Sequence, residues 1–189
     1  MAATDIIALA DAKAQLNITD TASDAELAGY VSAVTRVVER YAGAVIHRSV
    51  TEVFDGGRAQ VLLSKLPVVS VLSVTDSGAV VDSSGYKVDK EAGVLTRVAG
   101  PSPMAFLPGV QSVSVLYQAG QAASVAAVAQ DLADIRLGAL IILQHMWDTQ
   151  RPAAAGPFSQ GGDDFDPRYT YSVPRRALEL LGEPVGGIA

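Results

Sequence analysis

The run from Leu132 to Arg151, LADIRLGALIILQHMWDTQR, limits what this chain can fold into more than any other stretch. It is the most apolar run in the sequence and closes on His145-Met146-Trp147-Asp148-Thr149-Gln150-Arg151. Leu132, Ile135, Ile142, Leu143 and Met146 fall on more than one side of a helix, and a helix apolar on several sides must be covered on several sides. The spacing predicts a helix over residues 126–151, opening at Val125 or Val128. Arg136 and Gln144 interrupt or flank its apolar stretch, which falls short of the ~20 residues that span a membrane. Leu132, Ile135, Ile142, Met146, Trp147 and Arg151 are the residues expected to pack against neighbouring subunits.

Two helices are expected ahead of it. Leu9, Ala12, Ala14 and Leu16 give a weak apolar face over 9–18, broken by Asn17 and Thr19-Asp20. Ser23-Asp24-Ala25-Glu26 is a capping-box pattern. Leu27, Tyr30, Val31, Val34, Val37, Val38 and Tyr41 then recur at helical spacing up to Gly43, which predicts a helix over 23–43 with a core-facing stripe.

Between the helices the period changes to two. Thr51-Val53-Phe54, Gln60–Leu63, Ser70–Thr75, Tyr86-Val88, Val94–Thr96 and Val113–Tyr117 alternate or run β-rich between Gly and Asp turns. The expectation is a small antiparallel sheet region over about 49–118, inserted between helices. The class is α+β: a small helical bundle with a β insertion, together residues 1–151. Residues 152–168, with Pro152, Pro157 and the Gly-rich acidic stretch Gln160–Asp166, read as a flexible linker. An extended arm, 169–189, carries a short helix near Ser172–Gly182 with Pro174 in its first turn. Its apolar residues are too few for a core, so it docks on a partner or packs back on its own domain. The adjacent pair Arg175-Arg176 is either an anchor for an acidic surface or a solvated helix face.

Composition excludes several classes of function. With 14 basic and 20 acidic residues the net charge is −6, whereas a phosphate-gripping protein has a basic excess. The absence of cysteine removes disulfides, thiolate metal sites and cysteine nucleophiles. The two histidines, His47 and His145, have no metal-ligand spacing, and Asp163-Asp164 with Asp166 lacks the ligand pattern of a calcium loop. His145 lies one helical turn from Asp148, but no nucleophile or second acid completes a catalytic set. No catalytic residue, cofactor or metal is expected. The N-terminus lacks the basic region and apolar run of a signal peptide, so synthesis in the cytoplasm is expected, with no membrane contact.

The order of elements carries a resemblance. Ala12-Lys13, Leu16 and Ile18, then Asp24, Glu26-Leu27, Val38-Glu39, Tyr41 and Gly43, then Trp147, Asp148, Gln150 and Arg151 follow in sequence. Val173-Pro174-Arg175 and Leu180-Leu181-Gly182 close the pattern. Taken together, the chain resembles the head-tail connector (adaptor) proteins of long-tailed bacteriophages. It departs from them in having no proline at the start of the long late helix.

The resemblance implies a structural protein of the virion neck and no enzyme. It implies a homo-oligomeric, dodecameric ring beneath the portal protein that extends the DNA channel without binding DNA specifically and recruits the next neck or tail protein. On that reading Tyr169, Tyr171, Val173, Pro174, Arg175, Arg176, Leu178, Leu180 and Leu181 dock on the portal, and the loops at 76–85 and 100–109 face the tail side. The rival readings are a stopper or tail-completion neck protein, a small hydrolase using His145 and Asp148, and a soluble host binding module.

Overall fold

The computed structural model describes residues 4–150 and 173–182. They form an α+β protein that divides into two compact units, one helical and one of β-strands. The helical unit takes the chain up to Ala42 and from Val125 onward, and the β unit lies between, from Gly43 to Ser124.

In the helical unit α1 spans Leu9–Gln15 and α2 spans Asp24–Ala42. α1 ends before Asn17, whose φ of 55° is a left-handed conformation that asparagine tolerates. α2 has Asp24 and Glu26 in its first turn and Arg40 in its last, each sign matched to the helix dipole. Its buried stripe is Leu27, Val31, Val34, Thr35 and Val38, the i, i+4, i+7 face that the spacing predicts.

The long late helix is two helices, α3 (Val125–Asp131) and α4 (Ala133–Gln150), rather than one over 126–151. Leu132 separates them although backbone bonds run through it, from Leu132 N–H to the Val128 carbonyl and from Arg136 N–H to the Leu132 carbonyl. Asp134 accompanies the break. Its carboxylate accepts the Ile135 amide at 2.8 Å, and a side chain that takes a backbone N–H competes with the helical ladder. A final helix, α5, spans Arg175–Leu181.

The N-terminal segment ahead of α1 is part of this unit's core. Ile6 and Ile7 are fully buried. The Ile6 amide donates to Thr35 Oγ1 at 3.2 Å, and Ser32 Oγ donates to the buried Asp5 carboxylate at 2.9 Å. Polar side chains of α2 thus satisfy backbone and carboxylate groups that burial would otherwise penalise.

The β unit holds two four-stranded arrangements. One sheet has the order β1-β8-β3-β4, with β1 Arg48–Phe54, β8 Val113–Ala119, β3 Val68–Asp76 and β4 Ala79–Val80, all antiparallel. The other runs β2-β6-β5, with β2 Gln60–Leu62, β6 Val94–Ala99 and β5 Tyr86–Asp89, and β7 (Ser102–Pro103) also pairs with β6. The strands therefore occupy 48–119, one residue beyond the expected span at each end. Burial on β8 alternates strictly, with Val113, Val115, Tyr117 and Ala119 in the core and Ser114, Leu116 and Gln118 outward. Val61, Leu63, Val68, Val74, Leu95 and Phe106 complete the same core.

Candidate functional site

Among the residues expected to pack against other subunits, Ile135 and Ile142 are buried by the chain itself, while Leu132 and Met146 are half-buried. Trp147 is half-buried and meets Tyr30 of α2 edge to face, with ring centroids 5.5 Å apart. Arg151 lies outside the described residues. The most exposed apolar residue of α4 is Leu137, on the side away from Ile135 and Ile142, and it is not among those six. Two ion pairs hold α1 in the unit, Lys13 to Asp24 at 2.7 Å and Asp11 to Arg136 of α4 at 3.2 Å, and Gln15 donates to Gln144 at 2.8 Å.

Of the expected docking residues, Tyr169 and Tyr171 lie outside the described residues. Val173 and Pro174 are half-buried, and Pro174 forms the N-cap of α5. α5 packs against α4: Ala177 and Leu181 are buried, and a Cβ at Gly138 would meet Leu181 Cδ2 at 3.1 Å. A glycine on α4 is what lets α5 approach this closely. Leu178 and Leu180 are half-buried, whereas Arg175 and Arg176 are exposed. Arg175 has Glu179 one turn on at 3.9 Å, an open surface pair that fixes little.

In the β unit the two loops expected to face the tail side come together. Both carboxylate oxygens of the buried Asp76 accept the Leu107 amide, at 3.1 and 3.2 Å. Gly56 lies so close to the Leu107 carbonyl that no side chain fits there. A cleft of about 350 Å³ opens between the loops, lined by Asp76, Val80, Asp82, Arg97, Met104 and Leu107. Arg97 Nη1 donates to the Gly85 carbonyl at 2.5 Å and the Val98 carbonyl at 3.2 Å, so its charge braces backbone. The Ser84 amide and hydroxyl hold the Asp82 carboxyl below the ordinary carboxylate range. Arg97, on β6, is thus held by backbone carbonyls and Asp82 by Ser84 of its own loop.

The outer face of the β1-β8-β3-β4 sheet has a distinctive chemistry. Its cross-strand rows are Val53–Ser114–Thr75–Val80, Thr51–Leu116–Ser73 and Ser49–Gln118–Ser70. None of these side chains ionises. The charged residues of the same strands, Arg48, Glu52 and Asp76, sit opposite Ala119, Val115 and Val113 and so fall on the core-side face. No motif in the sequence marks this surface; it emerges once the strand register is known.

His145 and Asp148 lie one turn apart on α4, half-buried and exposed respectively, and the Thr149 hydroxyl donates to the His145 carbonyl at 2.7 Å. Among the described residues no group of three or more His, Asp or Glu could hold a metal ion, and no helix is long and apolar enough to cross a membrane. The arrangement is one of surfaces and braces.

Solved structures with a similar fold include chains of gene transfer agent (GTA) particles. A chain from the neck of an empty GTA particle, computed with C6 symmetry, superposes with a TM-score of 0.67 at 18% identity, covering 100% of this chain and 95% of that one. A chain from the neck of the native particle, computed with C12 symmetry, gives 0.62 at 20% identity over 84% and 86% of the two chains. A chain from the virion of the native particle gives 0.60 at 22% identity over 81% and 84%. A search of curated protein sequences finds no match. The family model described as "HCP: Head completion protein" matches residues 5–182, which is nearly the whole length. The chain belongs to the head completion protein family.

Proposed function

We propose that the chain is a structural connector in the neck of a phage-like particle, where identical copies form a ring under the portal and receive the next neck or tail protein. The family match across residues 5–182 carries this reading. The neck folds it resembles were solved with C6 and C12 symmetry, and rings of that order favour a dodecamer. A net charge of −6 suits a channel that passes DNA, because like charge keeps the phosphates off the wall.

In this reading α5 is the portal-facing element. Leu181 and Ala177 anchor it on α4, and Arg175 and Arg176 are on its exposed polar side. The pinned loops around Asp76 and Leu107 are the tail-side surface, since a rigid loop with exposed apolar residues binds without a large ordering cost.

The test is electron microscopy of the chain mixed with the portal ring of its own particle. A second ring stacked below the portal supports the reading, and bare portal rings with both proteins folded overturn it. Reversing the charge at Arg175 and Arg176 probes the docking face, because both side chains are exposed and the buried contacts of α5, at Ala177 and Leu181, are left in place. Weaker attachment is expected; unchanged attachment removes α5 from the contact.

A further inference from the structure

We infer that the outer face of the β1-β8-β3-β4 sheet is where a neighbouring copy of this chain seats in the ring. The inference rests on the ring reading above and adds which surface closes it.

A solvated face of an antiparallel sheet carries polar side chains, and natural proteins often guard its edge strands with charged ones. Here β1 and β4 are the edges of the sheet, and their outward side chains are uncharged. Val53 on β1 is 51% exposed and Val80 on β4 is 75% exposed, on the same cross-strand row. Leu72, at the bulge between Val71 and Ser73, is 56% exposed beside Leu116. The result is a broad surface with apolar points at both edges and in the middle.

Charge identifies the occupant. Each copy has a net charge of −6, so copies repel one another overall, and a contact that adds no charge leaves that repulsion smallest. Copies of an acidic chain associate at least cost through a surface that contributes no charge, and interface centres are depleted in charged residues. This sheet turns Arg48, Glu52 and Asp76 inward and leaves Ser, Thr, Val, Leu and Gln outside. A basic partner would gain nothing from such a face. In a closed ring the contact is heterologous, so the face meets a different surface of the next copy.

The chain has no cysteine, so an introduced one is unique. Leu72→Cys in the full-length chain, modified with a benzophenone maleimide, is assembled on portal rings and irradiated. The expected product is an adduct of two copies of this chain. An adduct with the portal protein, or no adduct in rings visible by electron microscopy, overturns the inference and leaves the ring standing. Absence of any ring from the unmodified chain overturns the ring reading and this inference together. Val53→Glu gives an independent arm, with monomer folding checked by circular dichroism. Loss of rings by a folded variant is expected, and normal rings overturn the assignment.

Discussion

The Tyr117 hydroxyl donates to Glu52 Oε1 at 2.8 Å from inside the β core, where the tyrosine ring is fully buried. The Tyr117 hydroxyl oxygen itself accepts the Lys65 amide at 3.0 Å. Glu52 in turn accepts the Ser64 amide at 3.0 Å and the Ser64 hydroxyl. One phenol and one carboxylate thus join β1, β8 and the turn after β2. Tyr117→Phe keeps the ring but strands the Lys65 amide, and we expect a loss of about 1–3 kcal/mol in urea unfolding.

Burial, with help from the Glu52 charge, raises the Tyr117 pKa from the ordinary 10.0 to about 12. The folded value is above the unfolded one, so this contribution is full below pH 10 and is lost as pH rises through 12. In that window the unfolded chain releases the proton while the folded chain retains it. The stability gap between wild type and Tyr117→Phe should therefore narrow from pH 10 to 12 in urea titrations. A gap that stays constant would show that the hydroxyl ionises alike in both states.

Periodicity carried most of the architecture because most elements bury one regular face. The α2 stripe and the β8 alternation of Val113, Val115 and Tyr117 are direct readouts of the 3.6 and 2.0 repeats. Three features had no periodic signal. Asp5-Ile6-Ile7 is too short to show a period, and its burial depends on Thr35 and Ser32. The break at Leu132 coincides with one side-chain bond, from the Ile135 amide to Asp134, that no period records. The charge-free sheet face depends on register, which sequence alternation alone leaves open. The resemblance to connectors led to the family, but the residues that meet other proteins lie on surfaces, where any polar sequence folds equally well.

Asp76 ties the loop that carries Leu107, between β7 and β8, to the end of β3. Replacing it with Ala leaves the Leu107 amide without its acceptor, and we expect a loss of about 1–3 kcal/mol. The loop should open before the rest of the unit does. Amide exchange at Leu107 should accelerate well beyond that at Val115, which sits in the β8 ladder. Equal acceleration at both would mean the loop and the sheet open as one.

The N-terminal segment is a core element although it precedes the first helix. Ile6→Ala should cost about 2–5 kcal/mol, the range for emptying a fully buried aliphatic site. The chain's single tryptophan reports on this unit, since Trp147 packs on Tyr30 of α2. Its fluorescence should follow the unfolding of the Ile6→Ala variant at a lower urea midpoint. An unchanged midpoint would place the segment outside the cooperative unit.

Gly138 sets how closely α5 rests on α4. Alanine there would place a Cβ at 3.1 and 3.2 Å from the Leu181 side chain and 3.5 Å from the Ala177 carbonyl, a fit that small movements of Leu181 can absorb. The gain of about 1 kcal/mol in helix propensity from Gly to Ala opposes that crowding, so the alanine variant should be close to neutral. Leucine cannot be absorbed this way. Gly138→Leu should expel Ala177 and Leu181 from their sites while α4 itself, a better helix former with leucine, stays intact. Limited proteolysis should then cut within Arg175–Leu181 much faster than in wild type, with far-ultraviolet circular dichroism nearly unchanged. If the segment stays protected, its burial does not depend on the glycine and another contact holds it. If protection is lost while portal attachment persists, the α5 surface can engage the portal without first resting on α4, which separates the anchoring role of Leu181 from the docking role proposed for Arg175 and Arg176.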